Sequence, residues 1–153
     1  MKRSTIAQAW TIAAIAALAL IAAPASSAAE KGCTNANMQG TFAYTGTGFI
    51  TAPPEFAGPF AETGTQYFDG RGTTTASVMS SQNGNILPLN ITGTYTVNSD
   101  CTGTFTLQVA PINITVHVFF VIDTSGDGFQ AIETEPGLVI TRIGRKLFPG
   151  RAI

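Results

Sequence analysis

The feature that most constrains the fold is an alternation of apolar and polar residues, repeated between short turns along most of the chain. The clearest example is the segment 93–106, in which two alternating arms flank a turn at 98–100. Tyr95 and Val97 share one face of the first arm, and Phe105 lies on the apolar face of the second. Because successive side chains of a β-strand point to opposite faces, this period of two predicts a hairpin with one apolar and one polar face.

The same alternation recurs along the chain after residue 39 and predicts about eight strands. Tight turns separate neighbouring strands at 69–72 (Asp-Gly-Arg-Gly) and at 83–84 (Asn-Gly). Residues 144–153 are predicted to be a polar tail. No stretch of ten or more residues between 30 and 153 shows the spacing of an amphipathic helix. The predicted strands are 40–50, 56–69, 73–81, 89–97, 101–109, 112–122, 129–134 and 138–143.

Short connections between these segments favour antiparallel pairing of each strand with the next one in the chain. A single open sheet of this size would leave two unpaired edges, and closure into a barrel removes both of them. We therefore predict an all-β protein that forms a single closed antiparallel up-and-down barrel of about eight strands. A two-sheet sandwich is the alternative, but its Greek-key links need longer crossovers than most of these turns provide.

The amino terminus carries a different pattern, that of a helical secretory signal peptide. Two basic residues precede an apolar run at 13–23, which small residues follow at 25–29. The run is shorter than the roughly 20 residues of a bilayer-spanning helix. We predict a cleaved signal peptide at 1–29, a β-barrel domain at 30–153, a secreted or periplasmic location and no membrane span in the mature chain.

The charge balance argues against nucleic acid as a partner. Without Lys2 and Arg3 the chain retains six basic and nine acidic side chains, which is a net charge of about −3. Nucleic-acid binding needs a surplus of basic residues to neutralise phosphates, and this chain has none. No pattern in the sequence predicts a cofactor, and the oligomeric state is left open.

Cys33 and Cys101 are the two cysteines of the chain. Pairing is the expected state of two cysteines in an exported protein, because the compartment is oxidising. The predicted disulfide would connect the start of the mature chain to the central hairpin. Because it would close a long loop, the chain-entropy argument assigns it roughly 4 kcal/mol of stabilisation.

The segment 123–128 (Asp-Thr-Ser-Gly-Asp-Gly) resembles the first half of a calcium-binding loop. Asp123, Ser125 and Asp127 place oxygen atoms at alternate positions before a glycine, as such loops do. The acidic ligand expected at the twelfth position falls on Thr134. An ordinary hydrogen-bonded turn is therefore the favoured alternative.

His117 is the single histidine, so this chain cannot form a cluster of several histidines around a metal. Alternation in the sixth predicted strand places it opposite the apolar face, which predicts a position on the surface or at a subunit interface. Histidine titrates near neutral pH, and a role as general acid or base is the functional alternative.

Glu62 is the candidate catalytic residue, because alternation puts it on one strand face with Phe60 and Phe68. If that face lines the barrel interior, the carboxylate is desolvated and its pKa rises unless it is paired. Arg142, which alternates with apolar residues of the last strand, is the predicted partner. A register shift of one residue would instead turn both side chains to water.

Residues that line the lumen would contact any ligand held there. The candidates are the aromatic and charged residues on the predicted inner faces, namely Phe42, Tyr44, Phe60, Glu62, Phe68, Tyr95, Phe105 and Arg142.

Four segments resemble those of a group of exported bacterial proteins of uncharacterised function. They are 39–44 (Gln-Gly-Thr-Phe-Ala-Tyr), 67–72 (Tyr-Phe-Asp-Gly-Arg-Gly), 93–104 (Gly-Thr-Tyr-Thr-Val-Asn-Ser-Asp-Cys-Thr-Gly-Thr) and 133–140 (Glu-Thr-Glu-Pro-Gly-Leu-Val-Ile). This group looks like part of the allene oxide cyclase barrel-like proteins, within the wider calycin type. The resemblance implies a closed antiparallel barrel with a partly apolar lumen, and it carries no catalytic residues over to this chain.

Three functions are compatible with these patterns. The first is binding of a small apolar ligand in the lumen, since barrels of this size either fill their interior or hold one small molecule. Glycines at inward positions of strands one, two and four are expected to leave room for it. The second is an isomerase or cyclase that acts on a lipid epoxide through Glu62. The third is a structural or adhesive envelope protein that uses its threonine-rich outer faces.

Overall fold

The structure is a computed structural model that describes residues 32–123 and 125–148. Its antiparallel strands form a closed barrel in which each strand pairs with its neighbours in the chain and the last pairs with the first. The strands are β1 Gly40–Ile50, β2 Gly58–Phe68, β3 Thr73–Gln82, β4 Asn85–Val97, β5 Thr102–Ala110, β6 Ile114–Ile122, β7 Gly128–Glu133 and β8 Leu138–Lys146. The predicted all-β class and closed up-and-down barrel are confirmed, and the predicted signal peptide at 1–29 lies outside the described residues.

Two 3₁₀ helices, Asn35–Met38 and Pro54–Phe56, are the helical elements of the described residues. They were not predicted from the sequence, because a single turn carries no helical periodicity. In the part of the chain that the structure describes, no helix has the length and apolar character needed to span a membrane.

The predicted polar tail at 144–153 is wrong at its start, because β8 continues to Lys146. Gly144 pairs with Tyr44 of β1, and Lys146 pairs with Phe42. Strand pairing satisfies backbone N–H and C=O groups whatever the side chain is, so the polar end of a strand leaves no mark on the hydropathy pattern.

Strand starts also differ from the prediction, most of all at β4 and by two residues each at β2 and β6. β4 begins at Asn85, which pairs with Gln82 directly across the Asn-Gly turn. This turn matches the twist of the flanking strands and lets pairing begin at once. β6 begins at Ile114, and Ile112 lies outside it, because Asn113 adopts a left-handed φ of 53° that interrupts the extended chain.

The period of two in the sequence becomes an inside and an outside of the barrel. Along β5, the side chains of Phe105, Leu107 and Val109 are buried, and the residues between them are exposed. The same regularity holds in β6 for Val116 and Val118. Burial of these inner faces removes apolar surface from water, at about 25 cal/mol for each Å², and so favours closure of the sheet.

Aromatic rings fill one end of the barrel interior. Phe105 and Phe120 stack with their ring centroids 4.1 Å apart. Phe68 packs edge-on against Phe42 at 5.3 Å and against Tyr95 at 5.2 Å. We call this end the aromatic half, which consists of Phe42, Phe68, Tyr95, Phe105, Phe120 and Phe129. The rings meet across the barrel, and each pair adds about 0.5–1.5 kcal/mol to the gain from burial.

The segment before β1 closes this end. Met38, at the end of the first 3₁₀ helix, is fully buried. Asn35 receives two hydrogen bonds from β4, with its side-chain oxygen 2.7 Å from the Val97 amide and its carbonyl 3.2 Å from the Tyr95 hydroxyl. Cys33 is bonded to Cys101, with a Cα–Cα distance of 4.9 Å. The predicted disulfide is therefore confirmed, and it holds this segment against the β4–β5 turn.

Candidate ligand-binding site

The other end of the barrel interior is not filled and forms a cavity of about 330 Å³. Apolar side chains, most of them aliphatic, form the larger part of its wall, and none of the aromatic rings that fill the opposite end borders it. We call this end the open half, whose apolar wall includes Leu89, Ile91, Val109, Val116, Leu138 and Ile140. Its volume lies at the lower end of the range of small-molecule pockets, about 300–1,000 Å³.

The loops at the strand ends hold the mouth of the cavity in place. The β1–β2 loop is bonded to the β7–β8 loop through the Thr51 amide, 2.7 Å from the Gly137 carbonyl. The Gln82 side chain donates a hydrogen bond to the Phe56 carbonyl at 2.6 Å. Phe56 and Ile114 line the cavity and are also exposed to solvent. The entrance therefore has an apolar rim, and hydrogen bonds to backbone carbonyls hold its loops.

Three charged side chains lie at the inner end of the cavity. Arg142 donates from Nε to Glu62 Oε1 at 2.6 Å and from Nη2 to Glu133 Oε1 at 2.5 Å. All three residues line the cavity, and their exposed fractions are only 5% for Glu62, 6% for Glu133 and 7% for Arg142. We call them the charged cluster. The pairing of Glu62 with Arg142 is the one that alternation in β2 and β8 predicted.

Gly46 of β1 makes the cluster sterically feasible. It is the residue between the two partners, since it pairs with Glu62 of β2 on one side and with Arg142 of β8 on the other. A Cβ atom at this position would lie 2.8 Å from Glu62 Oε1 and 3.2 Å from Arg142 Cγ. Real Cβ atoms essentially never come as close as the first of these distances. The missing side chain at Gly46 thus lets the two charged side chains meet above it.

Burial and mutual charge set the titration of these groups. Desolvation by burial raises the pKa of Glu133, and the nearby Arg142 guanidinium only partly offsets this. Burial alone would lower the pKa of Arg142, but the two carboxylates raise it above its ordinary value. Burial, followed by the charge of Glu62, raises the pKa of Tyr44, which keeps its phenol neutral. The guanidinium is therefore the permanent charge of the cluster, and Glu133 holds a proton more readily than an ordinary glutamate does.

The hydrogen bonds of the cluster are incomplete. Glu133 Oε2 and Arg142 Nη1 are buried and have no hydrogen-bond partner among the residues that the structure describes. A buried donor or acceptor without a partner costs about 1–3 kcal/mol, and more when it belongs to a charged group. One acceptor and one donor on adjacent, ion-paired side chains at the inner end of the cavity are thus left without a partner.

The predicted lumen residues separate into two groups. Phe60, Glu62 and Arg142 line the cavity. The other five predicted lumen residues do not line it, which corrects their predicted place: Phe42, Phe68, Tyr95 and Phe105 lie in the filled end, and Tyr44 lies beside the charged cluster. Alternation identified the inner face of each strand correctly, but it does not show which end of the barrel is filled.

The expectation about inward glycines is also corrected. A Cβ atom would overlap the Val139 carbonyl at Gly48, the Ser77 carbonyl at Gly64 and the Thr106 carbonyl at Gly93. These glycines let the backbone of a neighbouring strand come close, and they leave no space for a ligand. The cavity arises instead because the inner side chains at this end are aliphatic and too short to meet at the centre.

Sequence reasoning missed Glu133 as a member of the site. It follows Phe129 and Ala131 on the inner face of β7, and all three are buried. The signal was present in the sequence, because the same alternation that pointed to Glu62 places Glu133 inward.

The calcium-like segment forms a hydrogen-bonded turn. Asp123 Oδ1 accepts hydrogen bonds from the Ser125 hydroxyl at 2.8 Å and from the Asp127 amide at 2.9 Å. Gly126 adopts a left-handed φ of 71° within it. Among the described residues, no group of three or more His, Cys, Asp or Glu side chains is arranged to hold a metal ion. These contacts fit the alternative of an ordinary turn.

His117 lies on the outer surface of β6, in agreement with the alternation, and its side chain is 56% exposed. Its Nδ1 contacts a carboxylate oxygen of Glu135, which lies at the mouth of the cavity. This contact, with a hydrogen bond from the Thr134 amide to the His117 carbonyl at 2.9 Å, fixes the β7–β8 loop against β6. His117 therefore supports the mouth and does not line the cavity.

Comparison with known proteins gives structural neighbours only. No model of a protein family matches the chain, and the search of curated proteins found no match. The chain is similar to a solved structure of a redesigned β-barrel, with a TM-score of 0.54 and 18% identity over 74% of this chain and 95% of the other. It is also similar to the structure of EF1p2_mFAP2b bound to DFHBI, with a TM-score of 0.51 and 16% identity over 72% of this chain and 94% of the other. At such low identity these likenesses show that the chain has the fold of a small closed β-barrel.

Proposed function

We propose that this protein binds a small, largely apolar molecule in the open half of its barrel. The observation that carries the proposal is the preformed cavity of about 330 Å³ with aliphatic walls, an apolar rim and a few polar groups at its inner end. Small-molecule sites have this composition, because apolar walls supply affinity and a few polar groups fix orientation.

The contrast within the barrel supports the same conclusion. The aromatic half shows that this interior can be filled by side chains from facing strands. Filling the open half in the same way would add dispersion contacts and burial. Ligand binding therefore explains an unfilled cavity beside a charged cluster better than the stability of the fold does.

Two further observations are consistent with the proposal. The similar barrel EF1p2_mFAP2b is bound to DFHBI in its structure, so a barrel of this fold can hold a ligand. The Cys33–Cys101 disulfide fits an oxidising location, either extracellular or periplasmic. We propose on this basis that the ligand is met outside the cytoplasm.

Native mass spectrometry and thermal denaturation test the proposal. The purified protein is mixed with fatty alcohols, fatty acids and other lipophiles. We expect a complex with one ligand per chain and a rise of the melting temperature. A ligand at one hundred times its Kd stabilises the folded state by about 2.7 kcal/mol.

A matched pair of variants locates the site. Leu89→Trp places a large side chain in the cavity wall, and Asn90→Trp places the same side chain on the exposed face of the same strand. We expect Leu89→Trp to lose ligand binding and Asn90→Trp to keep it. Equal binding by both variants, or no stabilisation of the wild-type protein by any lipophile, would refute the proposal.

An isomerase or cyclase that acts on a lipid epoxide is a second candidate. The observation that favours it is a buried carboxyl with a raised pKa, Glu133, beside Glu62 in a cavity. Perturbed carboxyl groups in clefts are candidates for proton transfer. Glu62, held by Arg142, is proposed to stabilise positive charge on the substrate.

The two candidates differ in turnover. Incubation with a racemic lipid epoxide, followed by chiral chromatography, would show a rearranged product if the protein is an enzyme. We expect Glu62→Gln to lower that rate by about a hundredfold while the circular dichroism spectrum stays that of the wild type. Ligand binding without product would support the binding function and exclude the enzyme. The structural or adhesive role stays a prediction.

A further inference from the structure

Two atoms in the charged cluster lack a hydrogen-bond partner, and one of them is a donor while the other is an acceptor. Arg142 Nη1 can only donate, and Glu133 Oε2 accepts when the carboxyl is ionised, the state that its ion pair with Arg142 favours at neutral pH although burial raises its pKa. Both belong to side chains that line the inner end of the cavity. A bound molecule that completes both bonds must accept from the guanidinium and donate to the carboxylate.

We propose that the cavity selects molecules with an apolar chain and an uncharged end group that both donates and accepts hydrogen bonds, such as a primary alcohol or a primary amide. This inference rests on the proposed function, because it names the ligand class of the same site. A hydroxyl group satisfies both unpartnered atoms at once, since it has one donor hydrogen and two acceptor lone pairs.

The charges of the cluster disfavour an anionic end group. A carboxylate could accept from Arg142 Nη1, but it would be buried beside the carboxylates of Glu62 and Glu133. One guanidinium already serves both of these glutamates, so no positive charge remains to compensate a third anion. Like charges at such separations repel strongly in a site shielded from water.

A cationic end group meets the opposite difficulty. An ammonium group could donate to Glu133 Oε2, but it has no acceptor to offer Arg142 Nη1, and it would lie against a buried guanidinium. Removing an ammonium ion from water is also costly unless the site pairs it fully. An uncharged donor–acceptor group avoids both penalties.

The dimensions of the cavity define the rest of the ligand. Its volume of about 330 Å³ corresponds to roughly ten groups of the size of a water molecule, at about 30 Å³ each. Arg142 lies four residues along β8 from Leu138 at the mouth, which is a rise of roughly 13 Å along the strand. A linear chain of medium length fits this depth with its end group at the charged cluster.

Isothermal titration calorimetry with five molecules of one chain length tests the inference. They are 1-octanol, octanamide, octanoate, octylammonium and methyl octyl ether, measured at neutral pH with the full purified protein. We expect 1-octanol and octanamide to bind about tenfold more tightly than octanoate and octylammonium. Methyl octyl ether, which accepts but cannot donate, should fall between the two groups.

A charge-removing variant assigns the selectivity to the cluster. Glu133→Gln keeps the shape of the side chain and removes one negative charge. The affinity for octanoate relative to that for 1-octanol should therefore rise by about tenfold. Glu55→Gln makes the same chemical change at an exposed position outside the cavity wall. We expect its ratio of octanol to octanoate affinity to equal that of the wild type.

The outcomes separate this inference from the proposed function. If none of the five molecules binds, methyl octyl ether included, the proposed function itself fails. If all five bind with similar affinity, or octanoate binds most tightly, the cavity binds ligands but the inferred selectivity is overturned. The wild-type affinities decide this even if Glu133→Gln does not fold, a point that circular dichroism establishes.

Discussion

The aromatic half and the open half of this barrel are built from the same strands and the same alternation, yet side chains fill only one of them. Along β5, Phe105 belongs to the aromatic half, and Val109, on the same inner face, borders the cavity. Along β4, Tyr95 likewise belongs to the aromatic half, and Leu89 borders the cavity. The difference teaches that inner side-chain size, and not topology, decides whether a small barrel is solid or hollow.

The charged cluster lies in the open half and gives it a second contrast with the aromatic half. In the aromatic half, ring edges and faces pack against one another, and the Tyr95 hydroxyl is satisfied by a hydrogen bond to the Asn35 carbonyl. In the open half, Glu62, Glu133 and Arg142 must pair with each other because water is excluded from them. One half is therefore specialised for stability, and the other retains groups that cost stability and suit recognition.

The largest expected effect comes from truncation in the aromatic half. Phe105→Ala should lower the free energy of unfolding by about 3–5 kcal/mol, because a buried ring leaves a cavity among packed neighbours. Leu89→Ala, in the wall of the open half, should cost about 2 kcal/mol, the low end of the range for buried leucine, because its neighbours already border empty space. Urea denaturation of both variants measures the difference. Equal costs would show that the two halves are packed alike.

The second effect concerns the charge balance of the open half. Arg142→Met leaves two buried carboxylates without a cation and should cost about 3 kcal/mol at neutral pH. Replacing both glutamates by glutamine in the same chain removes the unpaired charges and should recover most of this loss. Chemical denaturation of the single and triple variants provides the comparison. An Arg142→Met protein as stable as the wild type would mean that water already solvates the cluster.

The third effect tests the steric role of Gly46. Gly46→Ala should cost about 1–3 kcal/mol, because its Cβ displaces the Glu62 side chain. Thr45→Ala, on the exposed outer face of the same strand, should stay within about 0.5 kcal/mol of the wild type. Thermal melts of the two variants would decide this. If the Gly46→Ala protein has the melting temperature of the wild type, the close approach of Glu62 is not the reason for glycine at this position.

The smallest effect is a pH dependence. Because burial raises the pKa of Glu133 from an ordinary value of 4.5, the folded state retains a proton that the unfolded chain releases. This stabilisation is fully present below the unfolded pKa and is lost as the pH rises through the folded pKa. The free energy of unfolding should therefore decline as the pH rises above the ordinary glutamate pKa of 4.5. Glu133→Gln should remove the part of this decline that Glu133 causes.

Urea titrations of both proteins between about pH 5 and pH 8 measure this slope. The lowered pKa values of Asp69 and Asp100, which result from hydrogen bonds to neighbouring groups, act below this window and do not mask it. Identical slopes in the wild type and in Glu133→Gln would contradict the assignment to Glu133.

Much of the fold was predictable from local patterns. Alternation located the strands, the Asn-Gly and Asp-Gly turns placed several hairpins, and short connections implied a closed meander. The errors occurred where the pattern is weak, as at the polar end of β8 and at the left-handed Asn113 before β6. The pairing of Cys33 with Cys101 followed from their number and the predicted export.

The candidate site was predictable only in part. Glu62 and Arg142 were paired correctly, because each interrupts an apolar face and a buried charge needs a partner. Glu133 carried the same signal and was missed because β7 is short and close to an acidic turn. No pattern within a single strand shows whether Phe42 or Tyr44 borders a cavity, because this depends on side chains that come from several other strands.

By itself, the sequence determined the strand faces, the order of pairing and the identity of the charged residues that lie inside. These properties follow from neighbours a few positions apart, whose periodicity the backbone geometry of a strand imposes. Only the tertiary structure decided that one end of the barrel is filled, that the other encloses about 330 Å³ and that Arg142 serves two carboxylates. Those properties depend on the stagger of closing strands and on how far side chains from opposite walls reach, which no single segment encodes.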